Sequence, residues 1–251
     1  MVDRDEMSTS FGRQASTYEA GRPEYPVEAV AWMLELGAAT PRIADVGAGT
    51  GKLTRAIVAH AADSGAETVA IDPDPDMLAV LRGAVRGIPT FVGTAENLPL
   101  PDASVDAVLL GQAWHWVDPV AGCAEIARVL RPGGVLGLVW NLRDESVPWI
   151  ARLTDIMHGS NAELMMQDGG PTVAPPFGPL ESRSWSWTRR MTRESLFDMA
   201  RSRSYVITAA PEDRARIEAG LAELFDEIGA VGDAAVDVPY RTEAFRSVAE
   251  G

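Results

Sequence analysis

The stretch Ile43–Thr54, IADVGAGTGKLT, joins a short apolar run to a helical pattern through glycines at every second position. Ile43-Ala44-Asp45-Val46 has the character of a buried strand, and Leu53, Ile57 and Val58 recur at helical spacing beyond it. Gly47, Gly49 and Gly51 therefore occupy a strand-to-helix turn, where glycine accepts positive φ and lets a ligand approach the backbone without meeting a Cβ. Two phosphate-binding patterns fail here. The dinucleotide fingerprint needs a glycine where Lys52 stands; the P-loop needs one at Val46 and a hydroxyl residue at Leu53. The spacing D-x-G-x-G-x-G suggests a nucleoside ligand without a pyrophosphate.

Outward from this turn the chain alternates strand and helix. Glu67–Ile71 reads as a second strand ending in Asp72, which lies 21 positions beyond Gly51, a spacing at which nucleotide-binding folds set a carboxylate against ribose hydroxyls. Asp74 or Asp76 can cap the helix that follows, Met77–Val85. Thr90–Val92 is a third strand, followed by Gly93-Thr94-Ala95-Glu96 and the turn-rich Asn97–Ser104. Val105–Leu110 is a nearly continuous apolar strand, as in a sheet covered on both faces, and it exits into Gly111-Gln112-Ala113-Trp114-His115-Trp116. Ligands of open α/β sheets bind at such carboxyl ends. Asp118–Leu130 is a helix stopped by Arg131-Pro132-Gly133-Gly134, and Val135–Trp140 is a fifth strand.

The flanks are less regular. Residues 1–10 are polar and aperiodic; Phe11, Ala15 and Tyr18 then share a helical face that must end near Arg22, before Pro23. A second helix (Val27, Val30, Ala31, Leu34) runs to Gly37, so Tyr18 and Arg22 are held just ahead of the core. Between Leu142 and Pro179 the pattern weakens. Residues 181–191 alternate as a strand, a long helix runs from Pro211 to Gly229, and Val236–Phe245 is the last strand. Strands alternating with helices define a doubly wound α/β sheet with helices on both faces.

The chain has 251 residues and a net charge of −14, which opposes binding to nucleic acid or an anionic membrane and favours small or protein substrates. Cys123 is the sole cysteine, so no internal disulfide forms. The charged N-terminus lacks a signal-peptide core, and no apolar run reaches the ~18 residues of a membrane span; a cytoplasmic protein is expected. His115 and Asp118 could share a helical face but lack a third ligand, and His60 and His158 have no ligand cluster, so no metal is expected.

DVGAGTG (45–51), Asp72, GTAENLPLPDASVDAV (93–108) and LRPGG (130–134) make the chain resemble the class I S-adenosylmethionine (SAM)-dependent methyltransferases over about residues 11–140. FGRQASTYEAGRPEYP (11–26) and GQAWHWVD (111–118) narrow the resemblance to a small-molecule subgroup similar to trans-aconitate and cantharidin methyltransferases, whose acceptor is typically a carboxylate. The resemblance implies a Rossmann-like, mostly parallel seven-stranded sheet: an N-terminal lid and helix (1–36), a SAM-binding core (37–141), and the rest of the sheet with helical substrate-side additions (142–251), all in one domain. It implies that Gly47, Ala48 and Gly49 pass beneath the methionine part of SAM and that Asp45 holds its amine. Asp72 would take the ribose; Pro73, Met77, Thr94, Ala95 and Glu96 would border the adenine, Thr94 standing where many relatives have aspartate. Gly111 and Gln112 would meet the methionine end, and Tyr18 and Arg22 would close over the cofactor, Arg22 as partner of its carboxylate.

SAM carries its own electrophile, so the protein's task is mainly alignment, with S-adenosylhomocysteine (SAH) as product. Trp114, His115 and Trp116 are candidates for the acceptor pocket. His115 would be a base for a hydroxyl acceptor, would only orient a carboxylate, or simply packs between the tryptophans. Arg143, Arg201 and Arg203 are candidate anchors for an acidic acceptor. Three rivals compete: a nicotinamide dehydrogenase, disfavoured by the glycine spacing; a nucleic-acid methyltransferase, disfavoured by the acidic composition; and a SAM-binding regulator without catalysis.

Overall fold

The computed structural model describes residues 21–35, 41–62, 65–157, 160–203, 206 and 209–249. Its centre is a sheet of seven strands in the order β3-β2-β1-β4-β5-β7-β6. These are β1 (Arg42–Val46), β2 (Glu67–Asp72), β3 (Thr90–Val92), β4 (Val105–Gly111), β5 (Leu130–Arg143), β6 (Glu181–Thr192) and β7 (Ala235–Val248). β1 pairs in parallel with β2 and β4, β2 with β3 and β4 with β5, whereas β7 runs antiparallel to both β5 and β6. The chain order reverses between β1 and β4, and the carboxyl ends of these two strands form the crevice in which such sheets bind ligands.

The helices divide between the two faces. On one face α1 (Val27–Met33) and α2 (Lys52–Ala61) bury Met33, Leu53 and Ile57 against Ile43, Leu109 and Val139. Beside them α3 (Pro75–Ala84) packs Leu78 and Leu81 on Ala70. Its cap is Asp74, whose carboxylate accepts from the backbone N–H groups of Asp76 and Met77, leaving Asp72 available to the glycine turn. On the opposite face α4 (Pro119–Val129) lays Cys123, Ile126 and Val129 on Val108, Leu110 and Leu136, and the Asp118 carboxylate caps it by accepting from Val120 and Ala121 N–H.

The weakly patterned region holds more structure than its sequence suggests: α5 (Pro148–Met157), α6 (Asn161–Gln167) and, after β6, α7 (Arg193–Arg201) precede the expected α8 (Pro211–Glu227). α5, α7 and α8 form a second apolar cluster, with Leu153, Met199, Leu221 and Phe225 closing on Val238 and Tyr240 of β7. Arg131–Gly134, expected as a plain helix stop, is instead absorbed into the start of β5, where the β4–β5 register shifts between Val105 and Ala107. The helix expected over Phe11–Tyr18 lies outside the described residues, as does Gly37.

Phe225 is fully buried and meets Phe197 edge-on at 5.0 Å. Phe225→Ala should therefore cost about 3–5 kcal/mol, read as a lower urea midpoint in one cooperative transition. A loss below about 1 kcal/mol, or a separate early transition, would show that the α5/α7/α8 layer is not part of the common core.

Candidate active site

The glycine turn hangs from the end of β2. Gly47 and Ala48 donate their N–H groups to the Ile71 carbonyl at 2.8 and 3.1 Å, and Gly49 N–H donates to Asp72 Oδ2 at 2.8 Å. Gly47, Gly49 and Gly51 all have positive φ, at 68°, 54° and 92°. A Cβ on Gly47 would also lie 2.6 Å from that of Ala113, so a side chain there is excluded by both strain and space.

Two buried carboxylates stand behind this turn. Asp45 is fully buried; its Oδ2 accepts from Thr54 Oγ1 at 2.5 Å, while Oδ1 has no hydrogen-bond partner among the described residues. Burial pushes its carboxyl up to about 7, the Thr54 hydroxyl opposing and the Asp72 charge adding to the rise. Asp72 accepts from Gly49 N–H on one oxygen and from Asp74 N–H at 2.9 Å on the other. Burial lifts it to about 6 against those two hydrogen bonds. Thr50 Oγ1, also buried, lacks a partner among the described residues. Asp45 Oδ1 and Thr50 Oγ1 are thus both buried polar atoms left with hydrogen-bonding capacity unspent among the described residues.

In front of the turn lies an open cleft with an empty volume of about 410 Å³. Gly47–Thr50 form its floor, Gly111, Gln112 and Asn141 one wall, and Arg22, Pro23 and Tyr25 another. Gln112 adopts φ 56°, unusual for a side-chain-bearing residue, and is held there by its N–H to Val139 O (2.9 Å) and its Nε2 to Asn141 O (2.8 Å). The Arg22–Pro26 segment is tied down by Glu24, whose carboxylate accepts from Lys52 Nζ at 2.8 Å and Arg55 Nη2 at 2.9 Å. Burial, which opposes ionisation of Glu24, is outweighed by these hydrogen bonds, so its carboxyl is lowered. Asn141 Nδ2 donates to Glu24 O at 3.0 Å.

Of the residues anticipated from sequence, Arg22, Gly47, Ala48, Gly49, Gly111 and Gln112 line this one cleft. Asp45 and Asp72 are buried and do not line it; Asp72 is joined to its floor by the hydrogen bond from Gly49, with Pro73 and the buried Met77 following it in the chain. Thr94 forms a bridge with Asn97 directly after β3, Ala95 is packed into the core, and Glu96 accepts from Asp118 N–H at 2.9 Å. Tyr18 lies outside the described residues. The aromatic cluster divides. Trp114 is only 2% exposed and donates Nε1–H to Thr172 O, so it is a core residue and no cleft wall, contrary to its expected place in an acceptor pocket. His115 and Trp116 are half-buried with rings 5.0 Å apart, and the Trp140 indole N–H points at His115 Nδ1 from 3.5 Å. Arg201 pairs with Glu218 at the surface, whereas Arg143 and Arg203 are buried. Tyr25, Lys52 and Asn141 were missed; Asn141 carried a signal, an amide directly after the apolar run Val135–Trp140.

The family model described as "Methyltransferase domain" matches residues 44–138. An uncharacterized methyltransferase of Mycobacterium tuberculosis is 47% identical over 218 residues, covering 85% of this chain and 84% of its own. A methyltransferase-like protein of Schizosaccharomyces pombe is 35% identical over 257 residues, covering 100% and 99%. The chain belongs to the methyltransferase family. Among solved structures, a candidate type II methyltransferase of Anaeromyxobacter dehalogenans superposes with a TM-score of 0.61 at 24% identity over 90% of this chain and 97% of that one. Phosphoethanolamine N-methyltransferase 2 of Haemonchus contortus, solved with SAM, shares the fold with a TM-score of 0.53 at 17% identity, over 100% of this chain and 61% of that one.

The raised carboxyls have a thermodynamic signature. Between the ordinary aspartate value of 3.8 and about 7 the folded chain keeps a proton on Asp45 that the unfolded chain has released. That contribution therefore makes stability fall as pH rises through this window and level off above it. Urea titrations at pH 4.5 and 7.5 should show Asp45→Asn gaining on the wild type at the higher pH. A gap independent of pH would mean that Asp45 titrates at its ordinary value.

Proposed function

We propose that this protein is a SAM-dependent methyltransferase that moves a methyl group to an oxygen, carboxylate or hydroxyl, of a small organic molecule. The observation that carries the proposal is the cleft over Gly47–Thr50, whose floor is hydrogen-bonded to Asp72 through Gly49 and follows the strand that carries Asp45 near its end, a buried carboxyl with one oxygen unpartnered among the described residues. These groups suit SAM. Asp72 has spent one lone pair of each oxygen on backbone N–H groups and keeps the others for a ribose diol. Asp45 Oδ1 offers a buried acceptor to a cationic amine, and Arg22 offers a guanidinium to a carboxylate across the cleft. Such a ligand would also restore full ionisation of the two acids.

When bound, SAM supplies a methyl on a positively charged sulfur, open to in-line displacement. The remaining work is alignment: Gly111 and Gln112 present backbone at the end of β4, and Tyr18, from the N-terminal segment, would complete the closure begun by Arg22. With Trp140 donating toward Nδ1, a neutral His115 would carry its proton on Nε2. That favours orientation of an anionic or carbonyl oxygen over proton abstraction. Malonyl-[acyl-carrier protein] O-methyltransferase of Methylococcus capsulatus is 37% identical over 137 residues, 52% of this chain and 49% of that protein, which supports an oxygen acceptor. The acidic charge supports a small acceptor, with neither nucleic acid nor membrane as partner.

Calorimetric titration of SAM, SAH and NAD into ligand-stripped protein tests this reading. SAM and SAH should bind, NAD should not, and Asp72→Ala should weaken both by about ten-fold or more through loss of charge-assisted hydrogen bonds. NAD binding without SAM would overturn the proposal.

A further inference from the structure

A second polar cluster lies one strand repeat beyond the cleft. Arg143 ends β5 two residues after Asn141, so both side chains leave the same face roughly 7 Å apart along the strand. The Arg143 side chain is fully buried. Its Nη2 donates to Glu163 Oε1 at 2.7 Å and Thr154 Oγ1 at 3.2 Å, but its Nε–H has no acceptor among the described residues. Directly opposite in the β5–β7 ladder stands Tyr240, 1% exposed and stacked on Trp187 at 4.9 Å, with a hydroxyl that likewise lacks a partner there. The Glu163 carboxylate is already committed: it also accepts from Ser160 N–H at 2.7 Å and Ser160 Oγ at 2.9 Å. Burial works against its ionisation, yet the fields of Arg143 and Arg203 hold its carboxyl down to about 2.

A purely structural ion pair would not need this arrangement. Phenylalanine at 240 would fill the same space without burying a hydroxyl, and the Arg143–Glu163 bond does not use Nε. Two buried donors on residues paired across one rung each call for an acceptor that the described residues do not supply. The cluster also adjoins the cleft at two points, through Asn141 and through Arg22, whose Nη2 donates to Ser202 O at 3.4 Å, next to Arg203.

We infer that Arg143 and Tyr240 form the acceptor-end subsite of this methyltransferase and bind a carboxylate of the methyl acceptor, Arg143 Nε–H and the Tyr240 hydroxyl each donating to it. The inference rests on the reading of the cleft as the SAM site. Glu163 and Thr154 orient the guanidinium from its far side, so Nε is presented at a fixed angle. Asn141, sharing the strand, sets the distance from this anchor to the cofactor cleft.

The test uses the full-length protein saturated with SAH and titrated with acetate, benzoate and succinate, each beside its neutral amide. At least one acid should bind and its amide should not. Tyr240→Phe, which keeps the ring and its stacking, should weaken that acid about ten-fold while leaving SAH affinity and melting temperature unchanged. Arg143→Lys, which keeps the charge beside Glu163 but loses Nε–H, should do the same to the acid. The inference is overturned if acids and amides bind alike, if none binds to the SAH complex, or if Tyr240→Phe binds the acid as the wild type does. Failure of SAH itself to bind the wild type would instead remove the reading of the cleft.

Discussion

The hydrogen bond from Gly49 N–H to Asp72 and those from Gly47 and Ala48 to the Ile71 carbonyl tie the glycine turn to the neighbouring strand rather than to its own. A turn of three positive-φ glycines has little conformational preference of its own and gains its shape from such anchors. Asp72 thereby fixes the turn while each of its oxygens keeps a lone pair unspent. Because Asp74 takes over the capping of α3, Asp72 is spared that role. The cleft therefore depends on β1 and β2 remaining in register, which their parallel pairing from Arg42–Glu67 to Val46–Ile71 secures.

Burying two aspartates beneath one turn opposes folding, since each is held partly protonated in the absence of a counter-charge. A cationic ligand reverses the sign of that effect. The same desolvation that disfavours the bare carboxylates strengthens their attraction for an ammonium or sulfonium group brought alongside. Site strength and apo-state instability are two faces of one arrangement.

The core of this fold was legible because its signals are local. The turn, Asp72, the exit of β4 and the helix that begins at Asp118 are each set by a few neighbouring residues with a strong local preference. The missed parts depend on distant partners. α5 does carry Ile150, Leu153 and Met157 at helical spacing, but the seven-residue α6 owes its boundaries to a capping box between Ser160 and Glu163. Trp114 looked like a pocket residue because it sits beside His115; only the three-dimensional path of Thr172, which accepts its indole N–H, assigns it to the core. Asn141 and Tyr240 look ordinary in sequence, and their significance arises from pairing across strands far apart in the chain.

Asn141 links the two halves of the site. Its side-chain oxygen accepts from Thr242 Oγ1 at 2.6 Å, and that hydroxyl in turn accepts from Trp187 Nε1–H at 2.8 Å, so the amide orientation is determined. Its NH2 group therefore faces Glu24 O, while its backbone carbonyl accepts from Gln112 Nε2. Side chain and backbone of this one residue thus join the segment over the cleft, the strained residue at the end of β4, and the β5–β7–β6 ladder that carries Tyr240 and Trp187. Neither Glu24 nor Gln112 can shift far without disturbing a residue that Thr242 holds from the other side. In-line transfer requires the two reactants to be held at a fixed separation, and a small error in that separation is costly. Placing the cleft wall and the Arg143 cluster on a single strand, two residues apart, lets the rigidity of the sheet provide that separation, with no loop needed to set it.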